Sequence, residues 1–379
     1  MRGEIVEMSI FNRRSVMKHS LAAASVAAFA QVSVFRKSLA QGAVYDIVSF
    51  GPLADGVHPE GYFWPVWGGI AGIHGAGMAF GDIATSPEKL TPALFESDGT
   101  STKLKSGEFG GSVNAVNADG IAVGIAFDSI NGVGSDRGKL GQPAVWIDRE
   151  LTRLPIPEPF QPGIDAAGVA EMITDDGVIF GRGSGFALRW INGEVEILPP
   201  DIFPDSYIIH ERMLTDGTLV VRRQNYSTNE LVFGYLVGSE IEPLSLPDGF
   251  MSDPNFQIVA ESSDGALLTR VWGQGSPQTK IARRGEDPID VTFETRDEYF
   301  LPGGLNSANQ VVGSWQRTEA DAVTAAVWED GVMTSLESLL PANHEFHRIR
   351  ATGISDEGII AGEGWDEDGA FHPLLFVPS

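Results

Sequence analysis

Carboxylates and aromatic side chains outside the regular parts of this chain are its first candidates for chemistry. Asp128, Asp136 and the run Asp366-Glu367-Asp368 lie in turn-like segments. Two facing carboxylates can divide acid and base work, as glycoside hydrolysis and lyase chemistry require. Asp128, Asp136 and Asp366 are therefore the candidate catalytic groups, and a solvated turn carboxylate is the alternative for each. Residues 53–69 carry His58, Tyr62, Phe63, Trp64 and Trp67, while Trp272, Trp315 and Trp365 recur at matching points further on. Flat aromatic faces stack on sugar rings or on Arg and Pro side chains. This makes His58, Tyr62, Trp64, Trp67, Trp272, Trp315 and Trp365 the candidate ligand-binding residues. The competing role for the tryptophans is to cover gaps in a core, and for 53–69 to plug a channel.

Other chemistries find little support. The chain has no cysteine, which excludes disulfides, thiolate zinc sites and cysteine nucleophiles. His344-Glu345-Phe346-His347 is one residue short of a zinc-binding His-Glu-x-x-His, and on extended chain its two histidines point to opposite faces. Neither 128–136 nor 366–369 matches a calcium-binding loop. His74 and His210 fall in or beside strands, where a hydrogen-bonded structural role is the default. The stretch 181–185 is glycine-rich but leads into no helical pattern, so it is not a phosphate loop. No metal and no cofactor is expected. Acidic residues number 51 against 26 basic ones, a net charge of −25. That balance excludes nucleic-acid binding by phosphate neutralisation and docking on anionic lipid.

The elements that must position these residues follow from an internal repeat. A ten-residue pattern recurs: an apolar start, a polar residue, two turn-like residues, Gly, an apolar run and a final Gly. Good copies are 72–81, 115–124, 172–181, 304–313 and 353–362; weaker ones at 212–221 and 260–269 lose the final Gly. The turn position falls at Gly77, Gly120, Gly177, Gly217, Gly265, Asn309 and Gly358, in steps of 40 to 57 residues, the period of propeller blades. Each copy reads as a β-hairpin. A third strand marked by an aromatic (Phe95, Trp146, Trp190, Trp328, Phe376) and a short fourth strand complete a blade. The last unit stops after its third strand, and Tyr45-Asp46-Ile47-Val48-Ser49-Phe50 is left over to supply the fourth. The fold class predicted is all-β: a seven-bladed β-propeller of four-stranded antiparallel blades over residues 41–379, closed by its N-terminal strand. Antiparallel order places the tight turns on one face and every long connection on the other. The loop-rich face is the predicted site.

Residues 1–40 read as a removable export signal. Arg13-Arg14 precedes a mostly apolar stretch at 21–35, too short for a membrane anchor, and Ser38 and Ala40 suit cleavage before Gln41. Arg13-Arg14-Ser15-Val16-Met17-Lys18 resembles a twin-arginine signal, which implies the twin-arginine translocase and signal peptidase as partners; a plain secretory signal is the alternative. Cleavage would leave a net charge of about −29, which favours solubility. The unit Gly304-Leu305-Asn306-Ser307-Ala308-Asn309-Gln310-Val311-Val312-Gly313 is similar to the repeat of the family called probable extracellular repeat, HAF type. Ala326-Val327-Trp328 stands where that family has His-Ala-Phe. The resemblance implies a propeller-like fold in the periplasm or outside the cell and brings no reaction with it. The functional expectation is a non-catalytic binding or scaffold propeller recognising a glycan, peptide or small metabolite. A polysaccharide lyase or hydrolase, or an assembly partner of an exported complex, are the alternatives.

Overall fold

The structure is a computed structural model that describes residues 44–51, 69–86, 89–127, 141–157, 168–183, 186–198, 206–228, 230–238, 240–253, 255–272, 277–292, 299–316 and 323–379. Seven four-stranded antiparallel sheets stand in a ring, a seven-bladed β-propeller. Blades I to VI comprise residues 69–103, 111–153, 168–197, 206–243, 256–291 and 299–335. Blade VII combines 347–378 with Tyr45–Ser49 as its outermost strand. The predicted closure is thus present, with Tyr45 opposite Pro378 and Val48 opposite Leu375. Tyr45 is fully buried, and Val44 N–H donates to Leu339 O at 2.8 Å, tying the closing strand to blade VI as well.

Every predicted turn position has a positive φ: Gly77, Gly120, Gly177, Gly217, Gly265 and Gly358 lie between 76° and 86°, and Asn309 at 63°. Left-handed backbone is nearly free for Gly and tolerable for Asn, which is why those residues mark the repeat. A polar side chain opens most of these turns and satisfies their backbone. Asn117 Oδ1 accepts from Asp119 and Ile121 N–H, and Asn306 Oδ1 accepts from Ala308 and Gln310 N–H.

The final Gly of the repeat has a separate cause. Each innermost strand carries a bulge, so one residue is skipped in its pairing with the second strand: Ala71, Asn114, Glu171, Glu211, Val259, Gly303 and Thr352. Next to the bulge a carbonyl crowds the second strand. A Cβ at Gly124 would stand 1.9 Å from Ser112 O, at Gly181 2.0 Å from Val169 O, and at Gly313 2.1 Å from Leu301 O.

Apolar clusters fill the spaces between neighbouring blades. Leu104 with Val113 and Trp146 joins I to II, and Leu154 with Ile173 and Trp190 joins II to III. Leu214 with Phe233 and Phe256 joins IV to V, and Phe376 with Val327 and Leu336 joins VI to VII. The third-strand tryptophans lock these seams, since each indole N–H donates to the chain leaving the previous blade. Trp146 reaches Lys105 O at 2.7 Å, Trp190 reaches Pro155 O at 2.7 Å and Trp328 reaches Thr292 O at 3.2 Å. Burying a large side chain while satisfying its one polar atom is the arrangement an indole favours.

Candidate functional site

The seven innermost strands converge on a cavity of about 330 Å³ on the ring axis. Its walls are the C-terminal halves of those strands and the first residues of the tight turns, so it occupies the tight-turn end of the channel. In six blades the skipped bulge residue itself lines the cavity: Ala71, Asn114, Glu171, Val259, Gly303 and Thr352. Blade IV contributes Arg212 instead. Side chains from these strands also bridge the blades, because neighbouring innermost strands share no backbone ladder. Asn114 Nδ2 donates to Ala170 O at 2.8 Å, Arg212 to Val259 O at 3.1 Å, and Thr352 Oγ1 to Ile70 O at 3.4 Å.

Charge is concentrated on the side formed by blades III, IV and V. Glu261 ends the innermost strand of blade V with a side chain only 9% exposed, and neither of its carboxylate oxygens has a hydrogen-bond partner. Arg212 is the nearest cation, with Nη1 at 4.0 Å from Oε2, and its Nε is likewise without a hydrogen bond. Burial pushes the Glu261 carboxyl up to about 8; Arg212 and the Thr215 backbone N–H pull the other way, and Asp216 adds a smaller upward push. Glu171, whose side chain is 45% exposed to the open cavity, is also shifted up by its packed surroundings, against the attraction of Arg182 and Arg212, and its Oε1 stands 2.8 Å from Arg182 Nε. Arg212 therefore lies under the influence of carboxyl groups from both neighbouring blades. His74 contacts the same cavity, but its role is structural: Nδ1 accepts from Ala76 N–H at 3.1 Å and Nε2 stands 3.5 Å from Asp175. Burial depresses His210, holding that ring neutral.

The residues singled out from sequence are placed differently. His58, Tyr62, Trp64, Trp67, Asp128 and Asp136 lie outside the described residues, as does the expected leader. Trp272, Trp315 and Trp365 stand at the loop-rich ends of the second strands of blades V, VI and VII. Trp315 is 9% exposed and belongs to the V–VI seam. Trp272 packs at 5.9 Å against Tyr299 with Arg270 over its face at 4.9 Å, and Trp365 packs at 5.2 Å against Phe371 with Arg350 at 5.4 Å. Two of the three thus present half-buried rings at the loop-rich rim, each already covered on one face.

Asp366 belongs to a relay. Its Oδ2 accepts from His372 Nε2 at 3.0 Å, its Oδ1 accepts from Ala370 N–H at 2.8 Å, and Ser49 Oγ stands 3.0 Å from His372 Nδ1. These bonds hold the Asp366 carboxyl below the usual carboxylate range, with the His372 bond the largest cause. Ser, His and Asp recur together in hydrolases, where the serine meets Nε2 and the aspartate Nδ1. Here Asp366 meets Nε2 and Ser49 meets Nδ1, and the members come from the closing strand, the third strand and the turn before it. The relay clasps residues 45–49 onto blade VII. Among the described residues no group of three or more His, Asp or Glu side chains could hold a metal ion, and no helix is long and apolar enough to cross a membrane.

Sequence reasoning passed over Glu171, Arg212 and Glu261. Arg212 and Ala260-Glu261 fall in the two degenerate repeats, and the missing final Gly was the signal that those blades differ.

No protein-family model matches the chain, and no curated relative does. Among solved structures the chain is similar to polysaccharide lyase Uly1, at 9% identity and a TM-score of 0.42, over 89% of this chain and 99% of that one. TolB from Acinetobacter baumannii aligns at 15% identity and a TM-score of 0.36, over 80% of this chain and 63% of TolB. Trypanosoma rangeli sialidase in complex with the inhibitor DANA aligns at 9% identity and a TM-score of 0.33, over 82% and 54%. The chain therefore spans less than two thirds of the TolB and sialidase chains. Likeness at such identities concerns the fold alone. Fold and site together define a seven-bladed propeller with a cavity of mixed polar and apolar lining on its axis.

Proposed function

We propose that this chain is an exported binding propeller that holds a small polar ligand, such as a sugar, a peptide end or a metabolite, in its axial cavity. One observation carries the reading: innermost strands from all seven blades converge on a single cavity that contains a buried carboxyl group lacking a hydrogen bond. A group desolvated in this way opposes folding, and a bound ligand that supplies the missing donors removes that cost. The loop-rich face, with Trp272 and Trp365 at its rim, is a second surface of the same molecule. The export reading is supported by the leader-like pattern at 1–40 and its resemblance to a twin-arginine signal, and the periplasm or the outside of the cell is the location proposed with it.

A carbohydrate-active reading is supported by two carboxyl groups, Glu261 and Glu171, that line one cavity on either side of Arg212, with burial raising Glu261 toward the protonated form a general acid needs.

The test is a thermal-shift screen of protein purified from the exported fraction, whose first residue is expected to be Gln41. The panel contains sugars, amino acids, amines, short peptides and divalent cations. At least one class is expected to raise Tm, because a ligand that binds only the native state stabilises it. Ala71→Trp, which fills the cavity from an exposed bulge position, is expected to abolish the response. A response that survives Ala71→Trp, or none across the panel, overturns the reading.

A further inference from the structure

We infer that the axial cavity takes a small organic ammonium ion, a primary amine held by Glu261 behind an acid-lined mouth. The inference rests on the cavity being the ligand site. No donor closes a hydrogen bond at either Glu261 oxygen, although the Thr215 backbone N–H pulls on the carboxyl, so a group that brings N–H or O–H would complete the site. Nearby cations are already engaged. Arg182 stands 2.8 Å from Glu171, and Arg212 donates to Val259 O and comes no closer to Glu261 than 4.0 Å. Of the donors available to a ligand, an ammonium also supplies the charge that a buried carboxylate needs.

The entrance makes the same selection. Beyond the strand ends, outside the cavity lining itself, the turn tips expose Asp119, Asp175, Asp176, Asp216, Asp264 and Asp356, of which Asp264 pairs with Arg283, Asp175 faces His74 and Asp356 accepts from Ser307 N–H. Arg283 also bonds to Asn309. A mouth lined by one sign of charge concentrates the opposite ion and repels its own kind. The field at that end of the ring favours a cationic ligand over an anionic one, and a neutral ligand gains nothing from it. A divalent metal would need several close oxygen or nitrogen ligands, and no such cluster exists among the described residues.

Protonation makes the proposal measurable. Arg212, Thr215 and Asp216 from blade IV act on Glu261; the other titratable groups lining the cavity are Glu171 from blade III and His74 from blade I, while blades II, VI and VII offer only uncharged residues. Burial holds Glu261 protonated below about 8. An ammonium ion must displace that proton, so its affinity is expected to rise by about tenfold per pH unit between pH 6 and 8 and then level off.

The experiment is calorimetric titration of the exported protein with n-butylamine and putrescine, beside n-butanol, butyrate and calcium chloride. Amines are expected to bind with this pH dependence, and Glu261→Gln, with its melting transition retained, is expected to weaken them at least tenfold. Equal affinity in Glu261→Gln, or equal binding of n-butanol, overturns the proposal, as does binding of butyrate or calcium in place of amines. If a sugar or peptide from the screen binds in an Ala71→Trp-sensitive way while amines do not, the amine inference falls and the binding reading stands. If nothing binds, both fall.

Discussion

A carboxyl group buried without a hydrogen bond opposes folding in its charged form and takes up a proton instead. Glu261 is such a group, and the consequence has a definite sign. Its proton is bound more tightly in the folded chain than at the ordinary value of 4.5, so the folded state carries more protons than the unfolded between about 4.5 and 8. This contribution is fully present below that window, and stability falls as pH rises through it. Urea unfolding at pH 5 and pH 8 is expected to show the decline, and Glu261→Gln is expected to reduce it. An unchanged slope in the variant would contradict the burial of this carboxyl. Glu171 and Glu363 shift in the same direction and leave a residual slope. These acids were not legible as a site in the sequence. Strand alternation tells which residues share a face only while the register is regular, and a bulge moves the alternation by one residue. Glu171 is itself the skipped residue of its strand, so counting by twos gives its direction wrongly. Trp315 takes the competing role, covering a gap between blades. Its spacing matches that of Trp272 and Trp365, but the V–VI seam buries it.

At the scale of the element, the repeat was legible because backbone geometry imposes residue types. Left-handed turn positions require Gly or Asn, and all seven were readable. The final Gly was readable as a pattern, although its cause is visible only in the structure: the bulge carbonyl occupies the space of a Cβ. Blades IV and V place Val221 and Thr269 at this point, opposite His210 and Ile258. The bulge there accommodates a side chain that blades II, III and VI exclude. Gly124→Ala is accordingly expected to cost about 2–4 kcal/mol, since Ser112 O cannot withdraw without breaking the strand pairing. Chemical denaturation measures this directly. A loss below about 0.5 kcal/mol would show that the carbonyl is free to move. The matching change Val221→Gly removes β-branched packing without relieving a clash, so it is expected to destabilise as well.

For the whole molecule, closure is what brings the parts of the site together. The segment 45–49 lies some 325 residues from its partner strand and supplies the fourth strand of blade VII. The pairing was predictable because one strand was missing from the last unit and one was unassigned at the start. What the sequence did not disclose is how many bonds secure it: the Tyr45 side chain buried at the VI–VII seam, the Val44 contact to Leu339, and the Ser49–His372–Asp366 clasp. A closed ring fixes the spacing of all seven innermost strands, and the cavity exists only at that spacing. Opening one seam should therefore degrade the fold and the site together. Val48 is half-buried, pairs with Leu375 and packs against the VII–I cluster. The most direct measurement is Val48→Asp, with thermal unfolding and ligand response recorded on the same sample. The expected result is a Tm lower by roughly 5 °C or more, accompanied by a weakened response to whichever compound stabilises the wild type. Unchanged melting with an undiminished ligand response would contradict the claim that this strand closes the ring and that the closed ring forms the site.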